Sequence, residues 1–88
     1  MTTIWKYALE IADRQTLQMP AGARLLTAQL QHGHLALWAE VDPAAEPEDR
    51  TVAIVGTGNP MPAGEAEYVA TAQAWIGHLV WHVFEVRP

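Results

Sequence analysis

Apolar side chains recur at every second position through most of this sequence, and that period restricts the chain to extended, half-buried strands. Between Thr3 and Ile11, the residues Trp5, Tyr7, Leu9 and Ile11 alternate with Lys6, Ala8 and Glu10. Asp13-Arg14 then offers a polar turn, Thr16 to Met19 can return as a short second strand, and Pro20 ends it. Arg24 to Gln31 places Leu26, Ala28 and Leu30 on one face. Leu35, Leu37, Ala39 and Val41 resume the pattern after His32-Gly33, which makes this the clearest hairpin. Thr51 to Val55 is a continuous apolar, β-branched run, short enough for a central strand covered on both faces.

The segments between the strands are turn material. Residues 42–50 hold two prolines and four acids and read as an exposed loop, as do residues 56–65 with their glycines and prolines. Glu65 to Trp75 supports two readings. Its alanines favour a helix with Tyr68, Ala72, Trp75 and Ile76 on one side, whereas the alternation of Val69, Thr71, Gln73 and Trp75 favours a strand, turning at Ile76-Gly77-His78 into Leu79–Val86. The strand is the preferred reading. The expectation is a mainly β single domain over residues 1–88, an antiparallel β-sandwich or partly open barrel of six to seven short strands with little or no helix. The connections are too short for the crossover helices of a parallel sheet.

Eighty-eight residues suffice for one core and not for two. The absence of cysteine removes thiolate metal sites, cysteine nucleophiles and disulfides together, and makes a reducing cytoplasm the expected compartment. No basic region precedes an apolar segment at the N-terminus, and no window approaches a membrane span. Ten acidic residues against five basic ones give a formal charge of −5, which disfavours a phosphate-backbone partner and hence nucleic acid.

The candidates for chemistry are thin. His32 and His34 flank a turn, and His78 and His82 stand four apart, about 13 Å along a strand, too far to share a metal. Gly56-Thr57-Gly58-Asn59-Pro60 lacks the third glycine and following helix of a phosphate cradle. His82 and Glu85 differ in strand parity and should point to opposite faces, and the chain contains no serine. The expectation is no catalytic residue, no metal and no cofactor.

Four tryptophans are the unusual feature, because aromatic residues dominate both cores and contact hot spots. Trp5 and Trp75 are expected in the core. Trp38, on the parity of Ala36 and Glu40, and Trp81 are expected on a contact surface, or else under a second sheet. With Gly56, Thr57, Gly58 and Asn59 of the glycine turn, Trp38, Glu40 and Trp81 form the candidate partner-binding set.

Trp5-Lys6-Tyr7, Met19-Pro20-Ala21-Gly22-Ala23, Leu37-Trp38-Ala39, Gly56-Thr57-Gly58-Asn59-Pro60 and Val80-Trp81-His82-Val83-Phe84-Glu85 together resemble a family of short uncharacterised proteins of tailed phages and prophages. The resemblance covers nearly the whole chain. It implies an accessory protein made in the cytoplasm of a bacterial host, and it brings no established activity. The leading expectation is a non-catalytic module that binds a host or phage protein or associates with itself, for example as a homodimer. An acidic inhibitor of a host defence or nucleic-acid-binding protein would need one negative patch from Asp42, Glu46, Glu48 and Asp49. A minor virion component would assemble symmetrically.

Overall fold

The computed structural model describes residues 1–74 and 77–87, and in it the alternating pattern becomes seven strands: β1 (Thr3–Ala8), β2 (Arg14–Pro20), β3 (Arg24–Gln31), β4 (His34–Val41), β5 (Pro47–Gly56), β6 (Glu65–Ala74) and β7 (Leu79–Arg87). They form two sheets, sheet A in the order β1-β4-β3 and sheet B in the order β2-β5-β7-β6, and every pairing is antiparallel. The Cα envelope of 40 × 30 × 16 Å suits two layers about 10 Å apart. The expected antiparallel sandwich is the observed fold, and the alanine-rich segment at Glu65–Ala74 is a strand.

The core lies between the layers. Leu37, Ala39 and Val41 of β4 meet Val52 and Ile54 of β5, Val83 of β7, Ala70 and Ala72 of β6, and Met19 of β2. At one long side the sandwich is closed, because β3 and β6 lie against each other. At the other side the edge strands β1 and β2 make no comparable contact among the described residues.

The β3–β4 hairpin turns through His32 (φ 52°) and Gly33 (φ 81°). Two successive positive φ values define a type I′ turn, whose twist matches that of the flanking strands. A bulge in β3 falls between Leu25, opposite Ala39, and Thr27, opposite Trp38. Leu25 therefore takes the inward place beside Ala28 and Leu30 that strict alternation assigned to Leu26.

β5 and β6 run parallel to each other with β7 between them, so residues 57–64 must travel the length of β7 to connect them. This connection lies over the outer face of sheet B. A Cβ built on Gly64 would sit 3.8 Å from Val86 Cγ1, and Arg14 Nη2 donates to the Ala63 carbonyl. Ala53, Val55 and Val86 point to that outer face and are nevertheless buried, which accounts for the unbroken apolar run of β5.

Two expectations are corrected. Trp5 has the inward parity, opposite Ala39, yet it is 42% exposed, because it sits on edge strand β1, against which no strand of sheet B packs closely among the described residues. The stretch 42–50 is not loop throughout: Pro47 to Arg50 already pair with β2, from Pro47↔Pro20 to Arg50↔Leu17. That half of β5 extends beyond β7, whose pairing starts at Thr51, so Glu48 and Asp49 reach water from within a strand. Trp75, expected in the core, and Ile76 lie outside the described residues.

Candidate functional site

The outer face of sheet A is built from the residues of β1, β4 and β3 that point away from the core: Ile4, Lys6, Ala36, Trp38, Glu40, Arg24, Thr27 and Gln29. Trp38 occupies the middle strand, with Lys6 on one side and Thr27 on the other. Two polar bridges cross β4 on either side of its indole. On one side Arg24 donates to Glu40 from Nη2 at 2.9 Å and from Nε at 3.2 Å, and Thr2 Oγ1 donates to the same carboxylate at 3.2 Å. On the other, Lys6 Nζ donates to Gln31 Oε1 at 2.6 Å above Ala36. Hydrogen bonds from Arg24 and Thr2, reinforced by the guanidinium charge, hold the Glu40 carboxyl below the ordinary glutamate range. Trp38 is half-buried and Ile4 beside it is 58% exposed, so a small apolar centre sits inside a polar rim.

The second group of candidate residues is elsewhere. Trp81 has the inward parity, opposite Gly56 and Ala72, and packs against the buried cluster. A Cβ on Gly56 would stand 3.3 Å from Trp81 Cζ3 and 3.0 Å from Asn59 Nδ2, so the absent side chain lets the indole lie across the strand. Gly56 to Asn59 form a tight turn closed by Asn59 N–H donating to Gly56 O at 3.0 Å, with Gly58 at φ 93°. Trp38 and Glu40 thus share the outer face of sheet A, while Trp81 and the glycine turn belong to the end of sheet B. The structure does not join them into one surface. Trp38 lies half-buried on the outer face of sheet A, and Trp81 takes the alternative place under a second sheet, as a half-buried wall of the core.

Two polar constellations depend on pairings that the sequence does not display. On the outer face of sheet B, His82 Nε2 and Thr57 Oγ1 lie 2.8 Å apart, His82 Nδ1 and Thr71 Oγ1 3.1 Å, and Thr71 Oγ1 and Tyr68 Oη 2.8 Å. The hydroxyls can donate or accept, so either imidazole tautomer is satisfied. Thr57 and His82 are within proton-transfer reach, but the imidazole is oriented by a threonine hydroxyl rather than a carboxylate. Glu85 points to the opposite face, as its parity predicts, where it pairs with Arg50.

Asp42, Glu46, Glu48 and Asp49 do not gather into one unopposed patch. Asp42 accepts from the Ala44 N–H in its own turn, Glu48 is shared between Arg50 and the Gly22 N–H, and Asp49, on the opposite face of β5, accepts from Gln18. His32 and His34 lie exposed at the β3–β4 turn. No helix among the described residues is long and apolar enough to cross a membrane.

The architecture defines the chain as an all-antiparallel β-sandwich, closed along one side and open along the other. The chain belongs to the family described as Domain of unknown function (DUF7352), whose model matches residues 1–88. No curated protein and no solved structure is significantly similar to it.

Proposed function

We propose that this protein is a non-catalytic protein-binding module, an accessory protein of phage or prophage origin working in the cytoplasm of a bacterial host. The observation that carries the binding role is the arrangement around Trp38. A half-exposed indole at the centre of an uncovered sheet, ringed by hydrogen-bonded polar side chains, has the anatomy of a contact hot spot, where a desolvated aromatic is sealed by a polar rim. The phage setting rests on the motifs from Trp5-Lys6-Tyr7 to Val80-Trp81-His82. The non-catalytic part is supported by the Thr57–His82 pair, which has no carboxylate behind it.

A photo-crosslinking amino acid at position 38, incorporated in the bacterial host, tests the reading. It should label one reproducible partner, and the purified partner should bind Trp38→Ala at least tenfold more weakly than wild type, with the variant's melting temperature little changed. Equal binding by Trp38→Ala, or no reproducible product, would remove the basis of the proposal.

A further inference from the structure

The free edge of β1 carries an inference that does not depend on the role of Trp38. In an antiparallel pair, alternate residues direct both backbone groups at the neighbouring strand and the others direct them away. Leu9 N–H donates to Leu35 O at 2.9 Å, continuing the register in which Ala8 faces Ala36. Tyr7, Trp5 and Thr3 therefore address β4, and Ile4, Lys6 and Ala8 direct their N–H and C=O groups outward. The next residue in that row, Glu10, shows what the row accepts. Gln15 Oε1 takes the Glu10 N–H at 3.0 Å while Gln15 Nε2 donates to the Glu10 carbonyl at 2.8 Å, so a primary amide stands where a further strand would be.

Of the four strands at sheet edges, β3 and β6 face each other. On β2 the bond from Ala21 N–H to Glu46 O fixes the same alternation, and the outward row is Arg14, Thr16, Gln18 and Pro20, polar throughout and ended by a residue without an N–H. That edge is protected in the usual way. β1 carries a single charge, Lys6, and no proline, with Ile4 and Trp5 exposed on its two faces.

We propose that β1 pairs antiparallel with β1 of a second copy, about a two-fold axis at Trp5, joining the two A sheets into one sheet of six strands. Charge selects this occupant. The strands of sheet A hold Lys6, Arg24 and Glu40, whereas the rest of the chain holds three cations against nine acids, so two copies meet on the side that is not acidic. The axis at Trp5 sets Ile4 opposite Lys6 of the second copy. Because Ile4 lies beside Glu40 in its own sheet, each Lys6 is brought toward the other copy's Glu40. An axis at Lys6 would instead oppose like charges. With the axis at Trp5, the two indoles face each other in a non-hydrogen-bonded pair.

Light scattering and sedimentation over a concentration series should give a mass rising to twice 9.7 kDa. Lys6→Pro removes an outward N–H, a change that edge strands tolerate, together with the exposed Lys6–Gln31 bond, and should yield a folded monomer. Hydrogen exchange on the wild type gives a readout without substitution: the amides of Ile4, Lys6 and Ala8 should become protected as concentration rises. In a chain without cysteine, Trp5→Cys should form a disulfide-linked dimer on oxidation, since such pairs bring Cα atoms within bridging distance. A wild-type mass that stays at one chain, a Lys6→Pro protein that stays dimeric, or amides at Ile4, Lys6 and Ala8 that exchange equally fast at all concentrations would each overturn the proposal. Cross-linking from position 38 that persists in wild-type protein diluted to one chain would separate this interface from the partner surface.

Discussion

Arg50 grips the carboxylate of Glu85 through Nε and Nη2 on the inner face of sheet B, next to the aliphatic core. The two residues are thirty-five positions apart and meet because β5 and β7 pair with Val52 opposite Glu85. Arg50 Nη1 also donates to the Ala23 carbonyl at 2.8 Å, tying the turn between β2 and β3 to sheet B. The hydrogen bonds to Glu85 keep the guanidinium protonated more firmly than usual despite its partial burial.

Removing one partner of this pair leaves a charge in a place that is costly to hydrate. Arg50→Ala and Glu85→Ala should each lower stability by about 3 kcal/mol or more, while the double replacement Arg50→Met with Glu85→Leu should recover much of that loss. Urea unfolding of the three variants checks the cycle. A double variant that loses as much as the two single variants together would mean that the two side chains do not act as a pair.

Tyr7 presents the opposite situation. Its ring faces inward on β1, and its hydroxyl oxygen is buried without a hydrogen-bond partner among the described residues. Tyr7→Phe should therefore raise stability by about 1 kcal/mol, read as a higher melting temperature. Burial also pushes the Tyr7 phenol above its ordinary pKa. A group whose folded pKa is raised favours the native state fully below the unfolded value. Its contribution then disappears as pH climbs from about 10 through the folded value. The wild type should lose stability in that alkaline window, and Tyr7→Phe should lose less.

Gly64 sits at φ 91°, where a Cβ would come within 2.9 Å of the Arg87 carbonyl. Gly64→Ala combines backbone strain with a backbone collision and should cost about 1–3 kcal/mol. Thermal unfolding measures the loss, and amide exchange should rise across residues 57–64 as the connection lifts from Val86. Gly22→Ala, with open space around the Cβ, serves as the control for positive φ alone and should cost less.

Glu40 is partly exposed and reports directly on the bridge beside Trp38. Its carboxyl titrates below the ordinary range because Arg24 and Thr2 donate to it, so any stability it contributes is present above the unfolded value and fades as pH falls through the lowered folded one. Arg24→Ala should move the Glu40 titration, followed by carboxyl NMR shifts, back toward the ordinary range. An unmoved titration would show that the bridge is not formed in solution.

What the sequence disclosed and what it withheld follow from one distinction. Alternation gives the face on which a residue lies, and so the β3–β4 hairpin, the doubly covered run Thr51–Val55 and the opposed directions of His82 and Glu85 are legible in it. It does not say how much of the other layer reaches that face. Trp5 has the core parity and stays exposed because β1 is an edge, while Trp81, for which a contact surface and a place under a second sheet were both open, packs over Gly56. The charges of Pro47–Arg50 look like loop, but that half of β5 needs only β2 as a neighbour. The helix preference of the alanines in β6 is outweighed by pairing with β7. The Arg50–Glu85 pair and the chain from Thr57 to Tyr68 were beyond sequence reasoning, since each is created by the register of strands distant in the chain. The turn glycine at 56, read as loop material and as part of the partner-binding set, was the one available signal that a large ring needed room.

The two outer faces differ: that of sheet B is covered by residues 57–64, and among the described residues no segment crosses that of sheet A. Paramagnetic relaxation from a soluble gadolinium chelate, measured on the dilute protein, tests this directly. Strong broadening of Ile4 and the Trp38 indole, with Ala53 and Val55 protected, is the expected result. Equal broadening on the two faces, or protection of Trp38 to the level of Ala53, would contradict it.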